Sequence, residues 1–134
     1  MVLCVLGLAG CLADSPPNSP TLQLPFTSSA SSPVAFNGVD GVEVGTTGYF
    51  SFGVLNAGNQ PLLLQDAGYS GDPAMTLELV IDAFPTTLAF NDEFVIALSC
   101  TPLAQDTYDG TVSILSNAVN GPTTVVYLSC TGVP

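Results

Sequence analysis

Apolar and polar residues alternate with a period of two along most of the chain. Phe50, Phe52 and Val54 share one face of the run from Tyr49 to Leu55. Met75, Leu77, Leu79 and Ile81 alternate with Thr76, Glu78, Val80 and Asp82. Phe94, Ile96, Leu98 and Cys100 line one side of a third run. Further strand-like runs cover Pro61 to Leu64, Thr111 to Leu115 and Thr123 to Cys130, and Phe36 adds an apolar position ahead of them. Turn-forming clusters separate the runs: Asn56-Ala-Gly-Asn59, Ser70-Gly-Asp-Pro73, Asp106 to Gly110 and Asn117 to Pro122. No segment carries a sustained apolar 3.6-residue period of helix length. The pattern predicts an all-β domain over residues 34–134, an Ig-like antiparallel β-sandwich of about seven strands.

The alternation fails in two places. Residues 1–11 hold no charge and are too short to cross a bilayer as a helix, but suit the apolar part of a secretory signal. Residues 14–33 contain five Pro and six Ser. That composition predicts a semi-extended tether from Cys11 to Pro33. At roughly 3.1 Å per residue its Pro- and Ser-rich part, residues 14–33, would reach about 60 Å. The competing reading is an ordered first strand over Leu22-Gln-Leu-Pro-Phe26.

Leu8-Ala9-Gly10-Cys11 resembles the lipobox of bacterial lipoproteins. The resemblance implies residues 1–10 as signal, cleavage before Cys11 and a lipid on its thiol. Membrane attachment through that lipid follows, in a bacterial cell envelope. Leu12, rather than Asp, follows the Cys, which favours the outer membrane or cell surface. A signal normally opens with Lys or Arg; none is present, so an upstream start or a fragment of a larger multi-domain surface protein is the companion expectation. The other reading of residues 1–11 is a buried first strand with a free Cys.

Cys100 and Cys130 end two matching pieces, Leu98-Ser-Cys-Thr101 and Leu128-Ser-Cys-Thr131. Each follows its Leu at the same parity, so each thiol should point inward at the end of its strand. Strand order brings both to one end of the sandwich, and export favours a disulfide. The alternative is two buried free thiols. Tyr108, two residues after Asp106, is placed as in a tyrosine corner, or as an ordinary turn residue.

Charge narrows the function classes. The chain has 11 acidic residues and no Lys, Arg or His, for a net charge of -11. Phosphate neutralisation, and with it nucleic-acid binding, has no side chain to perform it. Catalysis by His, Lys or Arg and histidine metal sites are excluded for the same reason. With 47% hydrophobic residues and 8% charged, the chain is not a disordered acidic tail. Self-repulsion favours a monomer.

The body also resembles the bacterial choice-of-anchor D and ASH (abnormal spindle/hydin) Ig-like domains. The residues concerned run in order over about 34–132: Val42-Glu-Val-Gly45, Phe50-x-Phe-x-Val-x-Asn-x-Gly58, Asn59-x-Pro-Leu-x-Leu64, Phe94 to Leu98, Cys100-Thr-Pro102, Tyr108-Asp-Gly, Ser116-Asn117 and Val126 to Gly132. The family's Leu-x-Pro-Gly turn is replaced by Ala83 to Asp92, and its usual basic residues are missing. The resemblance implies a sandwich that mediates protein contacts or acts as a spacer, with no catalytic residue and no cofactor.

Other chemistry is thin. Asp92 and Glu93 are adjacent, so on a strand they face opposite ways, unlike a glycosidase pair. Asp72, Asp106 and Asp109 are candidate oxygen ligands for Ca²⁺, without EF-hand spacing. Turn Asp residues that bond their own backbone are the ordinary alternative. Tyr49, Tyr69 and Tyr127 are candidate sugar-stacking residues in a carbohydrate-binding module. The expectation is a non-enzymatic envelope lipoprotein for protein–protein interaction or spacing, its protein partner unknown. A calcium-dependent ligand or carbohydrate binder is the alternative.

Overall fold

The computed structural model describes residues 17–79 and 83–134. Ten strands lie there: β1 Leu22–Gln23, β2 Val34–Ala35, β3 Val42–Glu43, β4 Gly48–Asn56, β5 Leu62–Gly71, β6 Met75–Glu78, β7 Thr86–Leu88, β8 Glu93–Cys100, β9 Thr107–Ser116 and β10 Thr123–Val133. A single 3-10 turn, Gly38–Asp40, joins β2 to β3. The strands form two sheets, β1-β4-β8-β6 and β2-β10-β9-β5-β7, with β3 also on the free edge of β10. β2 and β3 pair β10 in parallel, in succession along one edge; the long pairings are antiparallel. The fold is the predicted Ig-like all-β sandwich, with more and shorter strands than the seven expected.

Alternation sets the layers. β4 turns Phe52 and Val54 inward, and β8 answers with Ile96, Leu98 and Cys100. From the other sheet come Leu62 and Leu64 of β5, Val112 and Ile114 of β9, and Val126 and Leu128 of β10. All are close to fully buried. Phe36 and Met75 are buried as expected, while Phe50, Leu77 and Phe94 are half-buried at the margins of the core. Leu79 lies beyond the end of β6, and Ile81 falls outside the described residues.

Residues 17–33 depart from the expected tether. Leu22 pairs Asn56 and Gln23 pairs Leu55 as an added edge strand on β4. Leu22 is buried, and the Phe26 ring packs against Phe50 and Phe52 at centroid distances of 6.1 and 5.4 Å. The Pro17 carbonyl accepts a bond from the Asn59 N–H at 2.8 Å, and the Pro20 carbonyl one from Val119 at 3.0 Å. The ordered-strand alternative therefore describes Leu22 and Gln23. Mean composition hides Leu22, Leu24 and Phe26, whose period-two spacing suits a sheet edge; the prolines lack only donors, and an edge tolerates that loss. Residues 11–16 of the expected tether, with Cys11 and the lipobox, lie outside the described residues.

Two turn assignments also shift. Ser70 and Gly71 complete β5, and Thr107 to Gly110 already belong to β9. Gly110 reads as a turn signal but sits in a strand because the Tyr69 ring lies against it. A Cβ there would come within 2.6 Å of three atoms of that ring and its hydroxyl.

Candidate functional site

The sandwich has two poles. At one, the ends of β8 and β10 approach and the Cys100–Cys130 disulfide joins the two sheets, with the cysteine Cα atoms 6.6 Å apart. Both cysteines are fully buried, as their parity predicts. The 101–106 loop closes this pole. The Ala104 N–H donates to the Tyr108 hydroxyl at 3.1 Å, so the phenol reaches back four residues and closes the arch of a tyrosine corner.

The three calcium candidates all lie toward this pole. Asp72 and Asp109 are neighbours through the backbone, the Asp72 N–H donating to the Asp109 carbonyl at 3.0 Å. The Asp72 carboxylate accepts from the Ala74 N–H at 2.9 Å, an Asx-type turn bond. Asp106 is exposed, and its carbonyl accepts from the Gly132 N–H at 2.8 Å. Among the described residues, no group of three or more Cys, Asp or Glu is arranged to hold a metal ion.

The tyrosines divide. Tyr69 lies half-buried beside Gly110 and donates its hydroxyl to the Asp72 carbonyl at 2.7 Å. Burial raises its pKa above the ordinary phenol value, and the nearby Asp72 and Asp109 carboxylates push it the same way. It is a structural donor here, not a free stacking platform. Tyr127 is half-buried beside a groove of about 430 Å³, shared with Ser70, Asp109, Thr111 and Pro33. Tyr49 is 74% exposed and Leu103 is 80% exposed, both at the disulfide pole. Tyr49 and Thr76 pair with Ser99 from opposite sides. Leu103 walls a groove of about 340 Å³ over Thr76, Ser99 and Thr101. Asp92 and Glu93 sit at the opposite pole with no facing third carboxylate among the described residues.

That opposite, N-terminal pole is built around Asn56, which is fully buried at the end of β4. Its Nδ2 donates to the carbonyls of Gln60 and Leu88 at 2.8 and 2.9 Å. Its Oδ1 accepts from the N–H groups of Gly58 and Thr21 at 3.0 and 3.4 Å. Its backbone N–H donates to Asp92 and its carbonyl accepts from Asn91. One side chain thus ties residues 17–23, the 57–60 loop and the 86–92 segment together. Gly58 permits the close pass, since a Cβ there would stand 1.7 Å from the Ser19 carbonyl oxygen. Asn120 completes the pole by bonding both backbone groups of Leu22. In the sequence, Asn56 reads as a turn residue. The available signal was its parity, on the inward face of Phe52 and Val54.

No protein-family profile matches the chain, and no curated protein matches it in sequence. Solved structures match its fold. The ASH/PapD-like domain of human CEP192 (PapD-like domain 7) superposes with a TM-score of 0.55 at 14% identity, over 90% of each chain. A protein of unknown function from Porphyromonas gingivalis W83 gives 0.64 at 16% identity, over 89% of this chain and 50% of that one. The secreted serine protease VesC from Vibrio cholerae gives 0.58 at 12% identity, over 85% of this chain and 24% of the protease. These likenesses support the ASH-type, Ig-like sandwich read from the sequence; at such identities they bear on the fold alone.

Proposed function

We propose that the chain is a non-catalytic lipoprotein of the choice-of-anchor D type, held in a bacterial envelope through a lipid on Cys11. It displays one acidic Ig-like domain for protein contact or structural spacing, at the outer membrane or cell surface. The observation that carries the reading is the buried Cys100–Cys130 bridge between the sheets. Such a bond belongs to oxidising compartments, and the lipobox-like Leu8-Ala9-Gly10-Cys11 supplies the route there. Side chains fit contact better than turnover. No Lys, Arg or His is available as base or clamp, whereas Tyr49 and Leu103 stand exposed at the pole away from residues 17–23. Tyr is among the residues enriched at protein contact surfaces.

Metabolic labelling with a palmitate analogue tests the anchor. The wild-type chain takes the label in a bacterial host and Cys11→Ala does not; unlabelled wild-type protein rejects the anchor.

A further inference from the structure

We propose that the N-terminal pole of the sandwich rests on a zwitterionic lipid surface, with Phe90 and Val119 entering its interfacial layer. The inference rests on the lipid anchor at Cys11 proposed above.

Its first support is where the described chain begins. Pro17 is fixed to the body through the Asn59 N–H, and Pro20 through Val119. Residues 12–16 alone separate Cys11 from Pro17. Fully stretched, the six steps from Cys11 to Pro17 span about 20 Å. β10 by itself, at 11 residues, is longer, about 36 Å. A lipid on Cys11 therefore keeps Pro17 and this pole within about 20 Å of the bilayer, and brings it, rather than the disulfide pole, into reach of the surface.

The second support is what the pole presents. Phe90 is 50% exposed and Val119 is 67% exposed. Both stand on loops bonded to the same cluster: Val119 to Pro20, and Asn91, next to Phe90, to Asn56. Two such side chains bind a bilayer weakly alone, but an anchor a few residues away makes the encounter intramolecular and raises the effective concentration.

Charge selects the lipid. No cation is available to meet anionic headgroups, and Asp92 is exposed beside Phe90. Apolar insertion into a neutral interface is the contact that this surface allows.

The chain contains no Trp, so one introduced Trp reports its own surroundings. Protein beginning at Cys11 is coupled through that thiol to a maleimide lipid in phosphatidylcholine vesicles with brominated acyl chains. Cys100 and Cys130 are held in their disulfide and do not compete. Three single reporters are compared: Phe90→Trp, Val119→Trp and, at the far pole, Leu103→Trp. The first two are expected to shift to shorter wavelength and lose emission to the bromines, while the third keeps its emission. Replacing part of the phosphatidylcholine by phosphatidylserine restores emission at positions 90 and 119. Equal quenching at all three positions, or none at 90 and 119, overturns the proposal, and so does quenching that anionic lipid leaves unchanged. Because the lipid is attached chemically, this outcome is independent of whether cells acylate Cys11, which the palmitate label decides.

Discussion

Asn56→Ala is the most informative single change. The substitution removes four hydrogen bonds from a site with no solvent exposure. Their consequences differ. The Gln60 carbonyl belongs to an exposed residue and can turn to water, and the Thr21 bond is long at 3.4 Å. The Gly58 N–H and Leu88 carbonyl belong to buried residues and lose a partner that water does not readily replace. At about 1–3 kcal/mol for each stranded group, the loss centres near 4 kcal/mol. A domain of this kind has about 5–15 kcal/mol in all, so the variant keeps its fold but melts early. Urea titration followed by far-UV circular dichroism, with the m-value checked for constancy, gives the number. Asn56→Asp sharpens the test. A carboxylate cannot donate to either carbonyl, and burial raises its folded pKa above the unfolded value. Its stability is therefore greatest at low pH and declines as pH rises through the raised pKa, whereas Asn56→Ala shows no such step. A loss under about 1 kcal/mol for the alanine variant, below that expected for even one stranded group, would refute the keystone role.

Further outcomes follow from the same structure. Replacing Cys100 and Cys130 together by Ser frees a loop with a sequence separation of 30. It should lower stability by about 3.5–4 kcal/mol in the same titration. Gly58→Ala drives a Cβ into the Ser19 carbonyl and should loosen residues 17–23. Chymotrypsin should then cut after Leu22 or Phe26 faster than in the parent chain, and an unchanged rate argues against the clasp. The raised Tyr69 pKa makes its stabilising contribution complete below the ordinary phenol pKa and lost as pH climbs through the higher folded value. Tyr69→Phe should cost about 1 kcal/mol at neutral pH. It should also flatten the decline of the urea midpoint above about pH 10.

Much of this architecture was legible because alternation reports burial directly. Phe52, Val54, Ile96 and Leu98 were placed by parity alone, and the same parity turned Cys100 and Cys130 inward, while strand order brought them to one pole. Legibility stopped where one residue serves another far along the chain. Gly110 reads as a turn until the Tyr69 ring is seen against it. Residues 17–33 read as a tether because Pro and Ser dominate the average. Yet Leu22 and Phe26, two apolar side chains in a polar stretch, secure the segment once β4 offers an edge and an aromatic pair. Asn56 broke the hydrophobic pattern at an inward position, and such a break marks either an error of register or a buried polar keystone. Its partners Thr21 and Leu88 lie 35 and 32 residues away, so no local pattern named them. The disulfide-pole surface was partly visible, through Tyr49; Leu103 was not, because its exposure depends on the course of the 101–106 loop, which the Tyr108 hydroxyl fixes.

The bridge between the sheets also sets how the domain bears mechanical load. Pro17 and Pro134 lie toward opposite poles, so tension applied at these two residues runs along the strands. As residues 17–23 peel away and the sheets shear, the loop from Cys100 to Cys130 stays closed. It withholds about 100 Å of contour length from extension. Under force spectroscopy the oxidised domain should lengthen by that much less than the reduced one. The bond therefore acts as a stop on stretching as well as a cross-link.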